Sequence, residues 1–117
     1  VLPIGDDTLQ VIEYALDALE LRSEVTANNV SNSEVPGFTA SRVSFETQLQ
    51  RAIDGDRVAQ VKGPEVHGTG DLGDVTGNNV NLEEEVVEMM KTNLLQQSMV
   101  EAFNFKTGLL RSAIRGQ

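Results

Sequence analysis

The chain has 117 residues, 39% of them hydrophobic and only 4% aromatic, which suits one small domain whose apolar side chains fill seams between helices rather than a large globular core. Its 18 acidic and 9 basic residues give a formal net charge of -9, a balance that repels polyanions and excludes nucleic acid as the expected partner. Cysteine is absent, so disulfides, thiolate metal sites and thiol nucleophiles are excluded, and no apolar run of about 18 residues predicts a membrane span.

The N-terminal VLPIGDD lacks both a basic stretch and a long apolar stretch, so no cleaved Sec-type signal is expected from it. The first periodic segment follows over residues 7–32. Leu9, Ile12, Leu16, Leu19, Thr26 and Val30 keep three- and four-residue steps when Ser23 is counted, which predicts a helix with a heptad seam. Asp6, Asp7 and Thr8 supply N-cap side chains and charge suited to the helix start.

That helix is expected to stop within Asn28, Asn29 and Asn32, because asparagine tolerates left-handed backbone and bonds neighbouring amides. Pro36 then fixes φ at the second position of a turn and Gly37 accepts positive φ at the third, the pattern of a type II turn, with Phe38 as an apolar anchor behind it. Phe45, Leu49, Ala52 and Ile53 predict two helical turns, so residues 33–54 read as a turn motif and a short helix. Residues 55–79 read as a Gly-rich flexible loop. Val58, Val61 and Val66 give weak strand character around Lys62–Glu65, enough for a short hairpin.

Residues 80–115 predict the longest helix. Leu82, Val86, Met89, Asn93, Gln96, Val100, Phe103, Thr107, Leu110 and Ile114 hold the three-four spacing. Asn81 with Glu84 resembles a capping box, and the acids at 83–85 and the bases Arg111 and Arg115 complement the helix dipole. Val87, Met90 and Leu94 form a second apolar row, so the helix presents more apolar surface than one neighbour covers. The expected fold is all-α: long terminal helices paired as a coiled coil, with the glycine-rich segment between them, in a single domain.

The chemical motifs are weak. Gly68-x-Gly70-x-x-Gly73 matches a dinucleotide fingerprint, but no convincing strand precedes it and a Thr76-Gly-Asn-Asn turn follows where a helix should run. His67 is the one histidine, and its spacing to Glu65, Asp71 and Asp74 matches no zinc pattern. The acids Glu83, Glu84, Glu85 and Glu88 read as a charged first turn rather than an acid-base pair. Asn29-Val-Ser31 is a glycosylation sequon with no secretory signal to use it. No catalytic set, metal site or cofactor site is assigned, and no enzyme is expected.

The stretch LRSEVTANNVSNSEVPGFTASRVSFETQLQRAI, with Ala27, Asn29, Val30, Ser31 and Asn32 ahead of Pro36, Gly37 and Phe38, resembles the N-terminal signature of bacterial flagellar axial proteins, the rod, hook and hook-associated subunits. GNNVNLEEEVVEMMKTNLLQQSMVEAFNFKTGLLRSAI resembles their C-terminal helix, and the short chain points to a proximal rod subunit. The resemblance implies a structural subunit whose terminal helices form a coiled coil around an export channel and transmit torque. It implies export by the flagellar type III apparatus without a cleaved signal, and a place in the periplasmic basal body. The implied neighbours are other rod subunits, the ring adaptor FliE and the membrane ring. The contact residues it implies are Asn28, Asn29, Asn32, Pro36, Gly37 and Phe38, with the seam positions Leu9, Ile12, Leu16, Leu19, Val86, Met89, Val100, Phe103, Leu110 and Ile114. The alternatives are a sister proximal rod protein, or a helical adaptor that binds by helix packing.

Overall fold

The computed structural model describes residues 6–55 and 61–116, and side chains from residue 8 onward. The capping assigned to Asp6 and Asp7, the VLPIG stretch and the strand character at Val58 lie outside what is described. The elements run α1 (Asp6–Ser31), β1 (Ser41–Ser44), α2 (Glu46–Ile53), β2 (Glu65–Gly68) and α3 (Leu82–Ile114). The molecule is a slab of 65 × 25 × 14 Å, its long dimension exceeding the roughly 50 Å that a 33-residue helix spans.

Two long helices dominate, α1 of 26 residues and α3 of 33, packed antiparallel. The C-terminal end of α1 meets the start of α3 through Asn29 and Glu85, while Met99, farther along α3, packs on the cluster holding Ala18 and Leu19. Asn81 caps α3 as its sequence predicts, its Oδ1 accepting the amides of Glu83 at 3.0 Å and Glu84 at 3.3 Å.

An all-α description is too narrow. β1 and β2 form a two-stranded antiparallel sheet in the register Ser41↔Gly68, Arg42↔His67, Val43↔Val66 and Ser44↔Glu65. The hairpin expected within 55–79 is therefore a pairing across α2, with its first strand ahead of that helix. Four-residue strands bury too little alternating pattern to stand out from sequence. β1 is held from both sides: β2 pairs with one backbone edge, and the Arg22 and Asn29 side chains of α1 bond the other.

The apolar core is small and lies where α1 meets β1 and α2. Ala18, Leu19, Val43 and Phe45 are buried, with Tyr14, Leu21, Val25, Leu49 and Met99 against them. Burying side chains the size of Leu19 and Phe45 contributes about 1.5–3 kcal/mol each. The Arg22 guanidinium stacks over the Phe45 ring at 4.6 Å and donates to the Val43 carbonyl at 2.6 Å and to Glu46 at 2.8 Å, closing the polar side of this core. Burial works against ionising Glu46, but the Phe45 amide and Arg22 outweigh it, and its carboxyl lies below the usual range.

Candidate functional site

The asparagine stretch builds a joint. Asn29 is fully buried at the end of α1, and its carboxamide does for β1 what a neighbouring strand would do. Its Oδ1 accepts the Ser41 amide at 3.0 Å, and its Nδ2 donates to the Ser41 carbonyl at 2.9 Å. The same Nδ2 donates to Glu85 Oε1 at 2.7 Å. Glu85, also fully buried, takes a bidentate pair from Arg42, Nη1 to Oε1 at 2.8 Å and Nη2 to Oε2 at 2.7 Å. The hydrogen bond to Glu85 raises the Arg42 pKa further, against the smaller opposing effect of burial. One buried network thus ties α1, β1 and α3 together, and every charge in it is compensated.

Burial also removes Asn29 as a glycan acceptor, since its carboxamide is enclosed and fully used. Glu85, read from sequence as part of a charged first turn, is instead the inward member of that turn. The stripe of α3 that meets α1 carries buried Glu85 and Thr92 and half-buried Met99, seven residues apart. This stripe is offset from the apolar row Val86–Met89–Val100, whose members are 52%, 42% and 46% exposed. Ile114 is exposed too, while Phe103 and Leu110 are half-buried. On α1, Ile12 and Leu19 are buried and Leu9 and Leu16 half-buried, with Ala15 and Ala18 adding to the buried face.

Below the joint, the chain turns as its Pro-Gly pair demands. The Phe38 amide donates to the Val35 carbonyl at 3.2 Å, and Gly37 has φ +78°. Pro36 and Gly37 are exposed and Phe38 is half-buried. Asn32 folds back on exposed Asn28, its Nδ2 donating to the Asn28 carbonyl at 2.8 Å.

A second asparagine pair, Asn78 and Asn79, closes the joint from the other side. Buried Asn78 donates through Nδ2 to the carbonyls of Asn32 and Val35, both at 2.8 Å, and its Oδ1 accepts the Val80 amide at 2.8 Å. It adds a donor to the Asn32 carbonyl just past the α1 terminus, where the helix supplies no amide of its own. Asn79 Oδ1 accepts the Ala40 amide at 2.6 Å, and the Gly37 amide donates to the Thr76 carbonyl at 2.9 Å. The segment expected as a loose glycine loop is, over 65–80, a strand and a hydrogen-bonded turn. Asp74 organises that turn by accepting from Thr76 and Asn78, hydrogen bonds that depress its pKa, the Thr76 hydroxyl foremost.

The glycine fingerprint has a structural use. A Cβ at Gly73 would lie 2.7 Å from the Gly77 carbonyl oxygen, and Gly70 has φ +78°. Gly73 thus serves close backbone approach within the turn and Gly70 a left-handed backbone. His67 Nε2 lies 2.6 Å from Ser44 Oγ on the exposed sheet, and among the described residues no group of acids and histidine is arranged to hold a metal. Sequence reasoning missed Asn78, Asn79, Arg42 and Glu85. The repeated Asn-Asn pair at 28–29 and 78–79 was the signal available for the first two.

Among the described residues, no helix is long and apolar enough to cross a membrane. No family model matches the chain. Full-length relatives do. The flagellar basal body rod protein FlgB of Bacillus subtilis is 27% identical over 123 residues, covering 93% of this chain and 94% of its own length. The FlgB of Aeromonas hydrophila is 27% identical over 131 residues and 96% of each chain. The FlgB of Borrelia hermsii is 30% identical over 115 residues, 79% of this chain and 85% of its own. With an alignment that spans both long helices and the joint between them, the chain belongs to the family of flagellar basal body rod proteins FlgB.

Proposed function

We propose that the chain is a proximal rod subunit that builds the wall of the rod through α1 and α3, packing them against helices of neighbouring copies as a coiled coil. In this reading the assembled tube encloses the export channel and transmits torque. The subunit reaches the periplasmic basal body through the flagellar type III apparatus and meets the adaptor FliE and the membrane ring there. We favour FlgB over the sister rod protein FlgC because the relatives above carry the FlgB name. The role is mechanical rather than catalytic.

The observation that carries this is the open face of α3. Val86, Val87, Met90 and Leu94 are 52%, 47%, 66% and 65% exposed, a continuous apolar row on a helix whose other face already meets α1. An exposed row of this size marks an interaction surface. Met90→Asp tests it. In the lone subunit the side chain is mostly in water, so helix content and unfolding midpoint should match the parent. In an assembled wall the carboxylate would be desolvated without a partner, and incorporation into rods should fail. Wild-type motility from a Met90→Asp strain would refute the assignment.

A further inference from the structure

Resting on the rod reading, we infer that a second copy docks its basic α3 terminus, Arg111 and Arg115, onto a carboxylate stripe on the outer face of α1 formed by Glu13, Asp17, Glu20 and Glu24. The stripe follows from spacing. Steps of four, three and four residues bring these acids onto one side of α1, and all four are exposed. Arg111 and Arg115, four residues apart, share a side of the last turns of α3 and its cap and are exposed as well. Among the described residues none of these groups enters an ion pair within the subunit, whereas Arg22, Arg42 and Lys62 each do. The subunit thus carries separate acidic and basic faces that its own fold leaves unpaired.

A net charge of -9 favours such a pairing between copies. Like-charged copies repel unless their contacts bring opposite charges together. The two faces lie on different helices, so one copy can offer its basic terminus to the acidic stripe of the next, a head-to-tail contact. A two-fold axis through either stripe would set like charges opposite each other. Head-to-tail contacts that do not close propagate into helical filaments, the geometry a rod requires.

The test uses charge reversal in the full chain: Glu20→Lys with Glu24→Lys in one variant, Arg111→Glu with Arg115→Glu in a second, and all four changes in a third. Each is scored by sedimentation of the purified chain at low and high salt, and by rod incorporation in a host deleted for its own copy. Both two-site variants should associate roughly ten-fold more weakly than the parent at low salt, with the difference shrinking at about 0.5 M NaCl as exposed charges are screened. The four-site variant should recover association and incorporation. Failure of the four-site variant to exceed the weaker two-site variant overturns the pairing. So does loss confined to the acidic-stripe variant, which would assign that stripe to a different, basic partner. If the reversed variants incorporate as well as the parent, this contact falls while the rod reading stands. If the parent itself fails to enter rods, the rod reading falls and this inference with it.

Discussion

Arg42→Met isolates the buried joint. The Arg42 side chain is 22% exposed and the Glu85 side chain it clamps is 1% exposed, so the substitution leaves a buried carboxylate with the Asn29 amide as its remaining donor. Removing one partner of a buried pair costs about 3–5 kcal/mol. The lower end applies, because water can follow where Arg42 reached the surface. Against a total stability of roughly 5–15 kcal/mol for a small domain, this is a large fraction.

Urea unfolding followed by circular dichroism reads the loss. With a slope of about 1–3 kcal/mol per molar for a small protein, a loss of about 3 kcal/mol lowers the midpoint by roughly 1–3 M. The second variant decides the cause. Arg42→Met combined with Glu85→Met removes both charges and keeps apolar volume, while Asn29 retains its two bonds to Ser41. Exchanging a whole buried pair for apolar groups is often neutral or stabilising. The double variant should therefore be more stable than Arg42→Met alone. A single variant that loses less than about 1 kcal/mol, or a double variant below the single, refutes the account of the joint as a charge-compensated network.

Gly37→Val should destabilise the chain by about 1–3 kcal/mol in the same unfolding assay, and Gly37→Asn by clearly less. The site has φ +78° with open space around the missing Cβ, so the cost lies in the backbone and not in a clash. Glu46→Gln should be slightly less stable than the parent near pH 7. The folded state lowers the Glu46 pKa, so its contribution is present above the ordinary carboxylate value of about 4 and is lost as the pH falls through the folded one. The unfolding midpoints of the two proteins should therefore converge on acidification, and a gap that persists well below pH 4 would contradict the assignment.

Both long helices and the turn were legible in the sequence because their signals are local. Periodicity over 26 and 33 residues survives interruption, Asn81 announces a helix start within three residues, and Pro36-Gly37 dictates a backbone shape by itself. What was not legible depends on pairing between distant residues. Ser41–Ser44 becomes a strand because β2 lies on one edge and the Asn29 and Arg22 side chains on the other, and the closest of these is 12 residues away along the chain. Glu85 looks like its neighbours Glu83 and Glu84 until Arg42, at a separation of 43 residues, arrives to neutralise it. Which row of α3 meets α1 was not legible for the same reason: Glu85 and Thr92 are buried, while Val86 and Met89 are exposed. In a subunit that works alone, such an arrangement would waste apolar surface. In the proposed rod subunit, which would hold its own shape and then pack against copies of itself, the order is reasonable. Polar groups with compensated charges tie α1 to α3, and the apolar row stays open for the proposed neighbour. The asparagines at 28–32 belong to the first task, because Asn29 and Asn32 both spend their carboxamides inside the subunit. The asparagine stretch thus braces the subunit internally, and the open apolar face of α3 is the surface on which the proposed packing depends.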